Sequence, residues 1–163
     1  MSARFLVTAD LHLGHRLMGS VRPFGSSEEH DEEIFRRFAE TVRIADTVYM
    51  LGDVAWNAHG LSQLPRYRAL VRKMVLVMGN HDTHKAHRYL DAGFDDVCAC
   101  VQKDGALLTH IPIHTDQLGR WPVNIHGHTH ARRMSDPRYV CVSLEQTDYR
   151  PILLDHAIAR ATS

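Results

Sequence analysis

Residues 5–12 read FLVTADLH, an apolar run that ends in Asp10 and His12. A nearly continuous apolar run of this kind is typical of a strand covered on both faces, as in the parallel sheets of α/β proteins. In open sheets of that type, the ligand site lies outside the carboxyl ends of the strands. The stretch therefore predicts a buried strand with chemically active side chains at its end.

The same pattern recurs further along the chain. Apolar runs that end in polar residues occur at 48–51, 74–78, 106–109 and 123–125. The polar residues are Asp53, Asn80, His81, Asp82, His110, His126, His128 and His130. Two more strands are expected, at 139–144 and 151–154. Helical segments between the runs favour an α/β layered fold.

Three helices are expected between the strands. Ser26 and Glu29 match a capping box ahead of an apolar stripe of helical spacing. A second helix is expected over 62–73, with Ser62 as its cap. A third is expected over 83–92, ending at a glycine.

Length and composition limit the class of protein. A chain of 163 residues is expected to form one domain, spanning residues 1–163. With 19 basic and 19 acidic residues, the balance argues against a sequence-independent nucleic-acid or anionic-membrane binder. We expect no membrane span, because no apolar run approaches about 18 residues. We expect no signal peptide, because Asp10 and His12 interrupt the first apolar stretch. Three cysteines without a framework spacing predict reduced thiols and a cytoplasmic protein.

The 13 histidines require an explanation, and the strand ends provide one. Imidazole and carboxylate ligands together suit Mn, Fe, Zn, Co or Ni better than Mg or Ca alone. No cysteine joins the set, which disfavours a structural zinc site. One carboxylate can bridge two ions about 3.5–4 Å apart, and such a pair can hold the attacking and leaving oxygens at phosphorus. The pattern therefore predicts two divalent ions, and manganese is the metal that we expect first.

These residues resemble the ordered motifs of the calcineurin-like metallophosphoesterases, in particular small uncapped bacterial and phage members. The matching motifs are Asp10-x-His12, Gly52-Asp53, Gly79-Asn80-His81-Asp82, His110 and Gly127-His128-x-His130. Any one of them is weak evidence, whereas five in order, each after an apolar run, are specific. The resemblance implies a four-layer α/β/β/α sandwich.

The resemblance also assigns roles by position. It implies that one ion is bound by Asp10, His12 and His130, and the other by Asn80, His110 and His128. Asp53 would bridge both ions, and a hydroxide between them would attack phosphorus. His81 would donate a proton to the leaving oxygen, and Asp82 could orient His81.

The chain departs from some members of the family. Gly52-Asp53 is followed by Val54-Ala55-Trp56-Asn57, and the third motif ends in Asp82, unlike the protein phosphatases and diadenosine tetraphosphatases. We therefore expect a phosphodiesterase acting on small diesters, with cyclic nucleotides as the leading substrate class. A phosphomonoesterase, a nuclease and an inactive metal-binding scaffold are the alternatives. Small members often pair, so a homodimer stays open.

Several residues near the motifs have two interpretations. His15 and Arg22 are the expected contacts of the substrate phosphate, with Arg132 and Arg133 as alternatives. His114 and His126 are candidates for orienting ligands, and His30 is expected to face solvent. Trp56 and Trp121 serve either packing or base stacking.

Overall fold

In the computed structural model, which describes residues 3–162, the strands form two sheets. The first has the strand order β4 (Asp96–Cys98), β3 (Lys73–Val77), β2 (Thr47–Met50), β1 (Phe5–Thr8) and β9 (Ile152–Leu153). The second has the order β5 (Val101–Lys103), β6 (Ala106–Leu108), β7 (Val123–His126) and β8 (Tyr139–Cys141). Pairing is parallel except for β9 against β1 and β5 against β6. The parallel strands place their carboxyl ends at a common edge of each sheet.

The helices of the described chain are short apart from two. They are α1 (Met18–Val21), α2 (Ser27–Thr41), α3 (Ala58–Arg68), α4 (Ala86–Asp91) and α5 (Leu154–Ala159). The cap of α2 is confirmed, because Ser26 Oγ accepts the N–H of Glu29 at 3.1 Å. None of these helices has the length and apolarity that crossing a bilayer requires.

The predicted start of α3 is wrong. The helix begins at Ala58, because Asn57 Oδ1 accepts the N–H of Gly60 at 2.9 Å and acts as the cap. Ser62 instead lies inside the helix, where its hydroxyl donates a hydrogen bond to the carbonyl of His59. The helix ends at Arg68, since Lys73 already belongs to β3.

Alternate residues of the first sheet point to opposite faces and pack into two separate hydrophobic cores. Leu6 and Val48 pack with α2, α3 and α4 on one face. Val7 and Tyr49 face the second sheet, where they meet residues such as Ile125. Burial on both faces explains why these strands are apolar throughout.

The far side of the second sheet is covered by the segment 111–122, which contains a 3-10 turn. Asn124 Oδ1 accepts the N–H of Ile113 at 3.0 Å, and the hydroxyl of Tyr139 donates to the Ile113 carbonyl at 2.8 Å. Leu118 is buried in the same segment. Two sheets flanked by helices confirm the predicted fold, with this segment and its turn as the outer layer on that side.

Candidate metal centre

Asp10, two residues after the end of β1, has its two carboxylate oxygens in different environments. Oδ2 accepts the Ser143 hydroxyl at 2.7 Å and the N–H of His128 at 2.9 Å. Oδ1 is buried and has no hydrogen-bond partner in the described chain. A buried carboxylate oxygen without a donor costs free energy unless a cation is nearby. This oxygen therefore marks the centre of the candidate site.

The first group of donors surrounds that oxygen. Nε2 of His12 and Nε2 of His130 each lie 3.8 Å from Asp10 Oδ1. The donor atoms of these three residues all lie within 4.8 Å of one another. Neither ring nitrogen of buried His12 has a hydrogen-bond partner among the described residues. Such a set suits a divalent cation of the imidazole-preferring type.

The donor atoms of a second group, formed by Asp10, Asp53 and His110, also lie within 4.8 Å of one another. Asp53 Oδ2 lies 3.3 Å from His110 Nε2 and 3.8 Å from His12 Nε2. A single carboxylate oxygen thus faces a histidine from each group, which is the position required of a bridge. Asp10 also belongs to both groups.

The remaining predicted ligands lie at the outer side of the second group. Asn80 Oδ1 is 2.9 Å from His110 Nε2. The ring of His128 lies 5.2 Å from that of His110, and both Asn80 and His128 are exposed. The structure therefore brings together Asp10, His12, Asp53, His110 and His130 most closely, with Asn80 and His128 beside them.

Five of the seven predicted ligands have left-handed backbone conformations. Their φ angles are 61° for Asp10, 50° for His12, 54° for Asp53, 67° for His128 and 50° for His130. Such conformations cost about 1–2 kcal/mol per non-glycine residue and persist where the surrounding structure enforces them. They concentrate here because consecutive donors must turn sharply from the strand ends into one small volume.

The protonation of the carboxylates suits metal binding. Burial alone would raise the pKa of Asp10, but His12 and Ser143 outweigh it and hold the pKa below its usual value. Burial likewise opposes ionisation of Asp53, and its interaction with His110 and the backbone N–H of His81 lowers the pKa overall. Both carboxyl groups are therefore ionised near neutral pH, as metal ligation requires.

Asp82 does not orient His81, so that prediction is wrong. Its buried carboxylate accepts three backbone N–H groups, those of Asp53, Val54 and Gly79, at 2.7–3.0 Å. Asp82 therefore joins the loop after β2 to the loop after β3. The N–H of His81 instead donates to Asp53 Oδ1 at 2.8 Å.

Arg22, which is expected from the sequence at the substrate phosphate, instead has a buried side chain held by protein groups. The guanidinium donates to the carbonyl of Asp10 at 2.7 Å and to Glu145 Oε1 at 2.9 Å. Its third nitrogen lies 2.9 Å from Nε2 of His30. His30 is fully buried, contrary to the expectation that it faces solvent.

Glu145 is a contributor that the sequence did not single out as functional. Its Oε1 lies 3.0 Å from Nδ1 of His130, whose other nitrogen faces Asp10. Burial would raise the pKa of Glu145, but His130 and Arg22 outweigh it and lower the pKa to about 2. A carboxylate behind a ligating histidine fixes the tautomer and the orientation of the ring.

The other candidates divide between the rim of the site and more distant positions. His15 and His81 lie at the rim, with ring centroids 6.1 Å and 5.8 Å from that of His12. Buried His126 contacts the carbonyl of Gly127 through Nδ1 at 2.7 Å, so it supports the backbone of the last motif. His114 is 75% exposed and bonds within its own turn. Arg133 donates to Gln146.

Carboxylates and imidazoles gathered at the strand ends of a two-sheet α/β fold define a class of protein built to hold divalent cations there. More particularly, the chain belongs to the calcineurin-like phosphoesterase superfamily, whose family model matches residues 4–143. The resemblance noted from the motifs is thereby confirmed.

Relatives come from archaea, phages and bacteria. An uncharacterized protein of Methanocaldococcus jannaschii is 25% identical over 93% of this chain and 88% of its own length. The Gene 66 protein of Mycobacterium phage L5 is 28% identical over 76% of each chain. A protein of unknown function from Aquifex aeolicus has a solved structure with TM-score 0.72 and 26% identity, covering 95% of this chain and 97% of that one. A Pseudomonas putida nuclease shares the fold at TM-score 0.54 and 22% identity, over 78% of this chain and 62% of that one.

Proposed function

We propose that the protein is a two-metal phosphodiesterase that hydrolyses small phosphodiesters, with cyclic nucleotides as its substrate class. The observation that carries the proposal is the position of Asp53 Oδ2, which faces one histidine from each donor group at 3.3 Å and 3.8 Å. A carboxylate oxygen so placed can join two cations, as phosphoryl transfer between two metals requires.

In this proposal, Asp10, His12 and His130 hold one ion, Asn80, His110 and His128 hold the other, and Asp53 joins them. We propose manganese as the metal, and the ligand types also accept iron, zinc, cobalt or nickel. When bound, a pair of such ions supplies an activated water and neutralises charge on the phosphoryl oxygens.

His81 is proposed to donate a proton to the leaving oxygen. Its ring is exposed at the rim of the centre, and its backbone is held by Asp53 Oδ1 at 2.8 Å. An alkoxide is a poor leaving group, so a nearby acid at this position accelerates departure of the alcohol.

His15 is proposed to contact a phosphoryl oxygen. The N–H of Leu17 donates to His15 Nδ1 at 3.1 Å, which leaves Nε2 to carry the hydrogen. Burial, reinforced by nearby His12, lowers the pKa of His15 below its usual value. The ring is therefore a neutral donor of fixed tautomer.

The test combines elemental analysis with turnover on a substrate panel. Purified protein is reconstituted with Mn²⁺ and assayed on bis(p-nitrophenyl) phosphate, 2′,3′- and 3′,5′-cyclic AMP, p-nitrophenyl phosphate and an oligonucleotide. We expect two ions per chain, turnover of the diesters, and loss of turnover in Asp53→Asn with retained folding. Preference for the monoester or the oligonucleotide would replace the proposed substrate class, and metal-loaded protein without any turnover would indicate a scaffold.

A further inference from the structure

An exposed tryptophan lies against the rim of the metal centre. The indole of Trp56 packs on His15 with ring centroids 4.0 Å apart, and it lies 4.9 Å from the ring of His81 and 6.2 Å from that of His12. It nevertheless remains 42% exposed. The indole of Trp56 therefore lies beside both His12, a candidate metal ligand, and His81, the proposed proton donor.

The backbone around Trp56 is held by the first ligand loop. The N–H of Trp56 donates to the carbonyl of Leu13 at 2.9 Å, and Leu13 forms a parallel bridge with Ala55. Both Leu13 and Ala55 are buried. Asn57 Nδ2 donates to the carbonyl of Gly14 at 2.8 Å. The loop that carries the indole is thus hydrogen-bonded to the first ligand loop.

These loops are anchored in turn to the helices below them. The N–H of Gly14 donates to Asp31 Oδ2 at 2.9 Å, and Nε2 of Gln63 donates to the same oxygen at 2.6 Å. Asp31 belongs to α2 and Gln63 to α3. Because the support extends into the core, the backbone that carries the indole is held in place before any ligand arrives.

The exposed face of Trp56 has no function in packing the core. Covering a large exposed aromatic surface with a ligand ring stabilises the complex. Nearby, the backbone N–H of Leu17 donates to His15 Nδ1, and the Leu17 side chain is itself 60% exposed. The surroundings thus offer a phosphate-binding centre next to a surface that accepts a planar apolar group.

We propose that Trp56 stacks on the aromatic group of the substrate, a nucleobase or an aryl ring, while the phosphate occupies the metal centre. This inference rests on the proposed phosphodiesterase function and adds a determinant of specificity to it. Stacking of a base on an aromatic side chain is expected to change affinity by about 5- to 150-fold.

Binding of AMP and of ribose 5-phosphate to the Mn²⁺-loaded protein, measured by calorimetry, tests the inference without turnover. The two probes differ by the base. We expect AMP to bind at least about fivefold more tightly, and Trp56→Leu to remove most of that difference. Leucine retains apolar bulk without an aromatic face, and Trp56→Phe should retain part of the preference. The matched control is Trp121→Leu, which changes the chain's other tryptophan and should leave the preference intact.

A kinetic comparison provides a second readout. Bis(p-nitrophenyl) phosphate and methyl p-nitrophenyl phosphate release the same leaving group and differ in the group that stays on phosphorus. Trp56→Leu should lower the kcat/KM for bis(p-nitrophenyl) phosphate relative to that for methyl p-nitrophenyl phosphate by about fivefold or more. An unchanged ratio and an unchanged AMP preference would overturn the stacking inference while leaving the phosphodiesterase proposal intact. Loss of the preference in Trp121→Leu instead would place the stacking surface on the other loop, and absence of turnover and binding would end both proposals.

Discussion

At the scale of single residues, the two central carboxylates each divide their oxygens between structure and ligation. Asp53 Oδ1 accepts a backbone N–H while Oδ2 faces two histidines. Asp10 Oδ2 accepts Ser143 and His128 while Oδ1 faces the donor group. Each carboxylate is thereby oriented by the protein before a cation arrives, which reduces the cost of ordering the site.

Glu145 should control metal affinity through His130. In Glu145→Gln, the charge behind the His130 ring is lost and buried Arg22 loses its counter-charge. We expect Mn²⁺ affinity to fall by about 10- to 100-fold, with turnover partly restored by excess metal. Calorimetric titration of the metal-free variant measures this. Glu40→Gln, on the exposed face of α2, is the matched control, and equal affinities in the two variants would contradict the role.

His81 should matter in proportion to how much the leaving group needs a proton. For His81→Ala we expect kcat to fall by about 10²- to 10⁴-fold on a cyclic nucleotide, whose leaving group is an alkoxide. The loss should be much smaller on bis(p-nitrophenyl) phosphate, because p-nitrophenolate leaves without protonation. Steady-state kinetics on both esters decide the matter. Equal losses on the two would argue that His81 binds the phosphate instead of acting as an acid.

At the scale of elements, Asn57 has two functions at once. Its Oδ1 caps α3 through Gly60, and its Nδ2 joins α3 to the first ligand loop through the carbonyl of Gly14. Asn57→Ala removes both bonds and should lower the free energy of unfolding by about 1–2 kcal/mol. Asn57→Asp keeps the cap acceptor and should lose less. Urea denaturation of the metal-free proteins measures both, and equal losses would show that the cap contributes little.

Most elements could be predicted from the sequence, and the exceptions have physical reasons. The buried strands can be recognised in the sequence because both faces are covered, so most residues of β1 to β3 are apolar. Strands β4 and β5 do not stand out as apolar runs because each has three residues, partly exposed and partly polar. The start of α3 cannot be read from local sequence because Asn57 and Ser62 are both good caps, and only the tertiary hydrogen bond to Gly14 favours Asn57.

The candidate site was predictable to a similar degree. Donors that follow strand ends can be read from local sequence, and the structure brings five of the seven close together. The partners behind them cannot be read in this way. Arg22 and Glu145 stand 123 positions apart, and only the fold shows that Arg22 is buried against Glu145, which in turn contacts His130.

At the scale of the whole molecule, each donor group draws on both sheets. Asp10, His12 and Asp53 follow strands of the first sheet, whereas His110 and His130 follow strands of the second. A cation held by either group therefore connects the two halves of the core. Metal binding is consequently coupled to the stability of the folded state.

Metal loading should raise the melting temperature. A ligand present at 100 times its Kd stabilises the folded state by about 2.7 kcal/mol. For a protein of this size, that corresponds to an increase of about 5–10 °C. Scanning calorimetry with EDTA and then with Mn²⁺ measures the shift. Asp53→Asn should show a smaller increase, and a full increase in that variant would contradict the position of Asp53 between the ions.

The division of donors between the sheets also has a consequence for protein synthesis. On the ribosome, Asp10, His12 and Asp53 emerge well before His110 and His130. Each donor group includes one of those two late histidines. A nascent chain that has not reached His110 has neither set of donors, so neither group could hold a cation before that residue has been made. A product truncated before residue 110 would therefore lack both donor groups.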